Sequence, residues 1–131
     1  MMTAGVVLGF DFGTRRIGVA IANEVTLAAR PLTTVEVPRT DARWKAIAAL
    51  VDEWQPSGLV VGIPRHPDGA AHELTARCER FARQLEGRFR LPVARVDERY
   101  SSAVSEEATD VDAAAAAVIL QQWLAEREHD A

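Results

Sequence analysis

The sequence predicts an α/β domain built on a five-stranded mixed sheet, with its elements in the order βββαβαβα. Two observations carry this prediction. Residues 6–37 hold three strand-like segments with short connections, and short connections join antiparallel strands. After residue 40, helical and strand-like segments alternate, and strands joined through helices are parallel with right-handed crossovers. We therefore expect three antiparallel strands first, then two parallel strands, with helices covering the sheet.

The amino-terminal strands have the clearest pattern. Val6–Asp11 and Arg16–Ala22 are apolar segments separated by a short turn, which predicts a β-hairpin. A third strand is expected within Thr26–Val37. We expect it to be broken by Pro31 and closed by Pro38, because proline lacks the backbone N–H that a strand donates.

The remaining elements are predicted from the spacing of apolar residues, which changes after residue 40 from a strand-like to a helical period. Apolar residues at helical spacing predict three helices, which are Thr40–Trp54, a helix marked by Leu74, Cys78, Phe81 and Leu85, and Val111–Glu126. Leu59–Ile63 and Pro92–Val96 are predicted strands between them. The unbroken apolar character of Leu59–Ile63 is typical of a central strand covered on both faces.

Length and composition fit one cytosolic domain over residues 1–131, with 48% hydrophobic residues. A single cysteine, Cys78, cannot form an internal disulfide, and the start of the chain lacks the basic region of a signal peptide. No segment approaches the ~20 apolar residues that span a membrane. The formal net charge is −4, whereas proteins that hold nucleic acid constitutively are usually basic. A nucleic-acid partner would therefore require a local basic surface or bound metal ions.

Asp11 is the first candidate for chemistry. It shares one face of the first predicted strand with Val7 and Gly9. A carboxylate inside an apolar strand is costly unless it is paired or binds metal. The alternative is a turn-forming aspartate, because Gly13-Thr14 follows immediately.

The pair Asp97-Glu98 is the second candidate. It follows the fifth predicted strand, and ligands of open α/β sheets gather outside the carboxyl ends of the strands. The alternative is a solvated acid pair that meets Arg95 or Arg99.

Asp112 is the third candidate. Ala115, Ala116 and Ile119 follow it at helical spacing, which places it on the buried side of the last helix. The alternative is a capping box begun by Thr109, in which the carboxylate of Asp112 would turn back toward the start of its own helix.

The carboxylates of Asp11, of the Asp97-Glu98 pair and of Asp112 are more specific together than any one of them alone. Clustered carboxylates repel one another unless cations sit between them, and oxygen ligands favour Mg²⁺ or Mn²⁺. Two such ions about 4 Å apart can activate a water and stabilise the leaving oxygen of a phosphodiester. The set therefore predicts metal-dependent hydrolysis of nucleic acid, with two ions expected.

Polar residues beside these acids are candidates for contacts to substrate phosphates, although any one of them can equally be a solvated surface residue. They are Thr14, Arg15, Arg16, Arg65 and Arg99. The three histidines show no metal-ligand spacing, and Cys78 and the tryptophans lie on helix faces where core residues are expected.

Four segments, in order and at matching spacing, resemble the YqgF/RuvX family, RNase H-like bacterial proteins related to the Holliday junction resolvase RuvC. They are Gly9–Ala20, Val61–Pro64 with Asp68-Gly69, Asp97–Ser102 and Val111–Ala116. The resemblance covers essentially the whole chain. It implies an RNase H-like fold with Asp11, Glu98 and Asp112 as the metal-binding carboxylates, and it selects Glu98 over Asp97.

The resemblance also implies a substrate. Family members are linked to trimming of the 5′ end of precursor 16S ribosomal RNA, which we expect here as part of ribosome biogenesis, and to branched DNA of the Holliday-junction type as the alternative. A monomer or a homodimer is expected. This sequence departs from the family at Tyr100–Val111, where a basic loop is common, because the segment has Glu106, Glu107 and Asp110 but no lysine or arginine.

Two other functions stay open at this stage. The acidic balance and the non-basic loop favour a non-catalytic RNA- or ribosome-associated module. The hairpin residues Asp11–Thr14 also match the Asp-x-Gly-Thr pattern of actin, Hsp70 and sugar kinases, but those proteins ordinarily close two such domains on ATP, and 131 residues supply only one.

Overall fold

The structure is a computed structural model that describes residues 5–13, 15–36, 40–64, 72–98 and 111–130. Its elements, in order, are β1 (Val6–Phe12), β2 (Arg16–Asn23), β3 (Ala28–Glu36), α1 (Thr40–Trp54), β4 (Gly58–Pro64), α2 (His72–Phe89), β5 (Val93–Glu98) and α3 (Val111–Asp130). The predicted order βββαβαβα is confirmed.

The five strands form one mixed sheet in the order β3-β2-β1-β4-β5. β1 pairs with β2, and β2 with β3, in antiparallel fashion, whereas β4 pairs in parallel with both β1 and β5. This arrangement confirms the predicted combination of an antiparallel amino-terminal part with two parallel strands. It also brings the carboxyl ends of β1, β4 and β5 to one edge of the sheet.

The third strand corrects one expectation, because Pro31 does not break it. Val19 lies opposite Thr33 and Ala20 opposite Pro31, so Leu32 is an extra residue in β3 and the register shifts there. β3 is also the edge of the sheet, where a residue without an N–H is tolerated. A bulge on an edge strand thus absorbs the proline.

Alternation along the strands separates two hydrophobic cores. One face of the sheet packs on α1 and α2 through a cluster that includes Leu8, Phe10, Trp44, Cys78 and Phe81. The other face packs on α3 through a cluster that includes Val7, Ala20, Val60, Val96 and Leu120. The expectation that Cys78 and Trp44 are core residues is confirmed, and both are buried.

Small residues let α3 approach the sheet closely. Ala113 and Ala116 are fully buried in α3, and a side chain on Gly9 of β1 would overlap Leu120. None of the helices within the described ranges is long and apolar enough to span a membrane.

Several element boundaries differ from the sequence prediction, and the largest shifts that follow residue 90 are at the carboxyl ends of β5 and α3. β5 runs on to Glu98 instead of stopping at Val96, so that Asp97 and Glu98 are strand residues. α3 continues to Asp130 instead of ending at Glu126. The first difference matters for the site, because strand residues alternate between the two faces of the sheet.

Candidate active site

Asp11 lies near the carboxyl end of β1 and is partly buried. It is in phase with Val7 and Gly9, both of which face α3. Its partner across the antiparallel pair is Gly18 in β2. The sequence expectation that Asp11 belongs to the strand, rather than to the following turn, is therefore confirmed.

Asp112 comes to the same place from the first turn of α3. Its backbone carbonyl packs against Gly18, at the position that a side chain on residue 18 would occupy. Gly18 thus lies between the strand that carries Asp11 and the helix that carries Asp112. A glycine inside a strand often marks such a close backbone approach.

The carboxylate of Asp112 is directed at β2. Its Oδ2 lies 3.1 Å from Nε of Arg16, and the side chain of Asp112 is 28% exposed, against 56% for Arg16. This contact favours the buried-side interpretation of Asp112 over the capping box. Thr109, the other residue of that capping box, lies outside the described residues.

Glu98 is the last residue of β5, and the structure describes its backbone. It pairs with Pro64 of β4 at the carboxyl edge of the sheet. Its position is in phase with Ala94 and Val96, which pack in the core beneath α3. Asp97 is in phase with Arg95 on the other face. The alternation of β5 therefore selects Glu98 over Asp97 for the face that Asp11 and Asp112 share.

Arg95 is one of the two arginines that the alternative interpretation paired with Asp97-Glu98, and the other, Arg99, lies outside the described residues. Arg95 donates instead to α2, with its Nε 3.2 Å from Glu79 and its Nη1 3.0 Å from Glu86. The hydrogen bond from Arg95 lowers the pKa of the Glu86 carboxyl. Arg95 follows Ala94 in the strand, so its side chain faces α2. Its positive charge forms ion pairs with Glu79 and Glu86 of that helix.

The structure brings two of the three predicted acids together through Gly18 and places the third at the same edge. Glu98 stands two strands away from β1, which corresponds to a backbone separation of about 10 Å. Among the side chains that the structure describes, no group of three His, Cys, Asp or Glu residues is close enough to hold a metal ion. The side chain of Glu98 is not part of that set.

The predicted phosphate contacts divide into two groups. Arg16 is held by Asp112, and its neighbour Arg15 is exposed at the start of the hairpin's second strand. Thr14, Arg65 and Arg99 lie outside the described residues, as does the non-basic segment from Tyr100 to Asp110.

The residue that sequence reasoning missed is Gly18. Gly18 belongs to the segment Gly9–Ala20 that resembles the family. A glycine in the middle of an apolar strand indicates that another backbone can approach closely there. The role of Gly18 depends on which helix packs against β2 at this position, and the sequence alone does not predict that contact.

The mixed sheet, its antiparallel hairpin and the acids at the edge near α3 define an RNase H-like α/β domain. Solved structures agree with this fold. RuvC of T. thermophilus in complex with a Holliday junction substrate superimposes with a TM-score of 0.59, at 16% identity, over 95% of this chain and 96% of that one. The fowlpox virus Holliday junction resolvase gives a TM-score of 0.55 at 11% identity, over 94% of this chain and 99% of that one.

The sequence comparison gives the family. The profile of the RuvX family, described as Holliday junction resolvase, matches residues 5–126, and the chain belongs to this family. A relative from Polynucleobacter necessarius subsp. necessarius, named "Putative pre-16S rRNA nuclease", is 52% identical over 130 residues, which cover 96% of this chain and 88% of the relative. A Burkholderia mallei protein of the same name is 53% identical over 125 residues, which cover 89% of this chain and 86% of that protein.

Proposed function

We propose that this protein is a nuclease that hydrolyses phosphodiester bonds, with Asp11, Glu98 and Asp112 as its divalent-metal ligands. The observation that carries the proposal is the arrangement around Gly18, which brings the strand acid Asp11 and the helix acid Asp112 to one face of the sheet. The position of Glu98 in β5, in phase with residues under α3, supports it as the third member.

The donor set fits a hard cation. All three residues offer carboxylate oxygens, which Mg²⁺ and Mn²⁺ prefer, and Asp11 and Asp112 are partly buried rather than fully solvated. Asp112 already has a cationic partner, Arg16, so this part of the site attracts positive charge. When bound, one or two such ions would supply Lewis acidity for the attacking water and for the leaving oxygen.

The chain's own residues position the reaction. β1 and β5 present Asp11 and Glu98 from two strands that both pair with β4, so the sheet holds the backbones of both residues. α3 presents Asp112 from a first turn that is pressed against Gly18. Arg15, an exposed residue beside Arg16, would contact a phosphate that flanks the reacting one. A rigid, preorganised set of ligands of this kind is what phosphoryl chemistry requires of a protein.

For the substrate, we propose precursor 16S ribosomal RNA, trimmed at its 5′ end. The names of the relatives that are about half identical to this chain support this choice. Such a role places the protein in the cytoplasm. Branched DNA is the second candidate, supported by the description of the family and by the likeness to RuvC in its junction complex.

The test is cleavage of two substrates by one set of variants. A precursor 16S 5′-region RNA and a four-way DNA junction are incubated with Mg²⁺ or Mn²⁺, and the rates of wild type, Asp11→Asn, Glu98→Gln and Asp112→Asn are compared. We expect each variant to lose more than about 100-fold in rate, beyond the 10–100-fold typical of residues that only support a metal ligand. The control is Asp97→Asn, which changes the neighbouring acid on the other face of β5 and should stay near wild type.

Three outcomes would count against the proposal. Cleavage by Asp11→Asn at the wild-type rate would remove Asp11 from the site. A loss of cleavage rate in Asp97→Asn but not in Glu98→Gln would make Asp97, and not Glu98, the metal ligand. RNA binding without cleavage, unchanged when all three acids are replaced, would favour a non-catalytic RNA-associated module.

A further inference from the structure

Two arginines, Arg43 of α1 and Arg88 of α2, converge on one buried tryptophan, Trp44 of α1. The guanidinium carbon of Arg88 lies 4.3 Å from the centre of the Trp44 ring. The guanidinium carbon of Arg43 lies 5.8 Å from the same ring and 5.5 Å from the ring of Phe12. We refer to Arg43, Trp44 and Arg88 as the Trp44 cluster.

The Trp44 cluster is rich in donors and positive charge. Burial, together with the positive charge of Arg88, lowers the pKa of Arg43. Within the described part of the chain, Nε of Arg43 and Nε1 of Trp44 are buried donors without a hydrogen-bond acceptor. Among the described residues, neither arginine forms an ion pair with a carboxylate. Two like charges are therefore held close together without a described anion to offset them.

This arrangement contrasts with that of Arg95, an arginine on the same face of the sheet. Arg95 of β5 is neutralised by Glu79 and Glu86 of α2. The protein as a whole carries a net charge of −4, so acids are abundant. A pair of arginines without neighbouring acids is a local excess of positive charge, which a protein of net negative charge would need in order to bind nucleic acid.

The position of the cluster connects it to the candidate active site. Arg43 stacks on Phe12, which is the residue after Asp11 in β1. Consecutive strand residues face opposite sides of the sheet, so Asp11 faces α3 and Phe12 faces the α1–α2 side. Arg43 therefore lies near the carboxyl end of β1, on the opposite face of the sheet from the acids, whereas Arg88 reaches Trp44 from the last turn of α2, the end that leads into β5. A strand of nucleic acid that crosses the carboxyl edge of β1 would meet the Arg43 side of the cluster first.

We propose that Arg43 and Arg88 bind a backbone phosphate of the nucleic-acid substrate, at a subsite on the α1–α2 face beside the catalytic edge. The inference rests on the proposed nuclease function for the identity of the ligand. Stacking on Trp44 and Phe12 leaves the edges of the guanidinium groups as donors, and planar guanidinium edges match phosphate oxygens in pairs. The aromatic rings fix the two groups before the phosphate arrives.

The first experiment measures binding without cleavage, in EDTA. Labelled RNA and four-way junction DNA are titrated with wild type, Arg43→Gln, Arg88→Gln and the double variant, at several salt concentrations. The matched controls are Lys45→Gln and Arg80→Gln, which each remove one exposed positive charge from the same two helices. We expect the double variant to raise Kd about tenfold and to reduce the slope of log K against log salt by about 1, as loss of one phosphate contact predicts.

The second experiment reports on the cluster itself. The chain has three tryptophans, so a ¹⁵N spectrum shows three indole signals, and Trp44→Phe identifies the one from Trp44. Inorganic phosphate is titrated against chloride at constant ionic strength. We expect the Trp44 signal to shift saturably with phosphate in wild type, and not in Arg88→Gln, while the signals of Trp54 and Trp123 stay in place.

These measurements separate the subsite from the nuclease proposal. If the Trp44 signal and the Kd respond as expected but no cleavage occurs, the subsite stands and the catalytic assignment fails. If cleavage occurs but Arg43→Gln and Arg88→Gln bind like Lys45→Gln and Arg80→Gln, the subsite is wrong. Because Arg43 is partly buried, Arg43→Lys serves as a second variant that keeps the charge, and its binding should fall between wild type and Arg43→Gln. An equal response to phosphate in wild type and Arg88→Gln would also overturn the proposal.

Discussion

The backbone carbonyl of Asp112 rests against Gly18, at the position that any side chain on residue 18 would occupy. Gly18 is also the cross-strand partner of Asp11. One missing side chain in β2 thus allows the first turn of α3 to approach the strand pair that carries the first acid. The geometry of the candidate active site depends on this close approach, more than on any contact between the acids themselves.

Replacement of Gly18 by alanine should destabilise the protein and displace the start of α3. The added methyl group meets backbone atoms, which cannot rotate away, so we expect a loss of about 1–3 kcal/mol in the free energy of unfolding, measured by chemical denaturation. Gly87 is the control, because a methyl group there meets nothing within 4 Å. Gly87→Ala lies in α2 and should stabilise by about 0.5–1 kcal/mol. Equal stability of Gly18→Ala and wild type would contradict the close approach.

Replacement of Arg16 by glutamine should raise the affinity for metal while changing stability little. Arg16 is largely exposed, so its ion pair with Asp112 contributes at most about 1 kcal/mol. The same pair competes with a metal ion for the carboxylate of Asp112. We therefore expect tighter Mn²⁺ binding by calorimetry in Arg16→Gln, and no change in Arg15→Gln, which removes a neighbouring exposed charge. Unchanged or weaker Mn²⁺ binding in Arg16→Gln alone would show that Asp112 does not contact the ion.

The ion pair between Arg95 and Glu86 predicts a dependence of stability on pH. The hydrogen bond from Arg95 lowers the pKa of Glu86 below its ordinary value of 4.5. A lowered carboxyl pKa in the folded state stabilises above the ordinary value, and the contribution is lost as the pH falls through the lowered pKa. Glu86→Gln should therefore be less stable than wild type at pH 7, and the difference should shrink as the pH falls below 4.5.

The control for this prediction is the same substitution in an Arg95→Met background. Without the guanidinium group of Arg95, the effect of Glu86→Gln on stability should be similar at neutral and acidic pH. Persistence of the full pH-dependent difference in that background would mean that another group, and not Arg95, lowers the pKa of Glu86.

Much of the fold could be predicted from the sequence because local patterns determine it. The hairpin, the helices and the alternation that put Asp11 on one face of β1 follow from apolar periodicity alone. The sequence does not predict that β3 continues through Pro31, because a proline is tolerated there only since β3 is the edge strand, which is a property of the whole sheet. The residues next to Pro31 in the sequence do not show whether its strand lies at the edge or in the centre of the sheet.

The candidate site could be predicted only in part, for a related reason. The sequence prediction ended the fifth strand at Val96, so the choice between Asp97 and Glu98 came from the family resemblance. Because β5 extends to Glu98, the side chains of Asp97 and Glu98 alternate between the two faces of the sheet, and only the position of Glu98 is on the face that packs on α3. The arginines of the Trp44 cluster come from two helices separated in sequence, and their convergence on one ring required the packing of α1 beside α2.

Diffraction from crystals soaked in Mn²⁺ tests the central claim most directly, because anomalous scattering locates the ion without assuming its ligands. We predict Mn²⁺ within coordination distance of carboxylate oxygens from Asp11, Glu98 and Asp112, with Arg16 released from Asp112. Mn²⁺ bound elsewhere, or an Asp112 that keeps its contact to Arg16 at saturating Mn²⁺, would contradict the assignment of these three residues as the metal site.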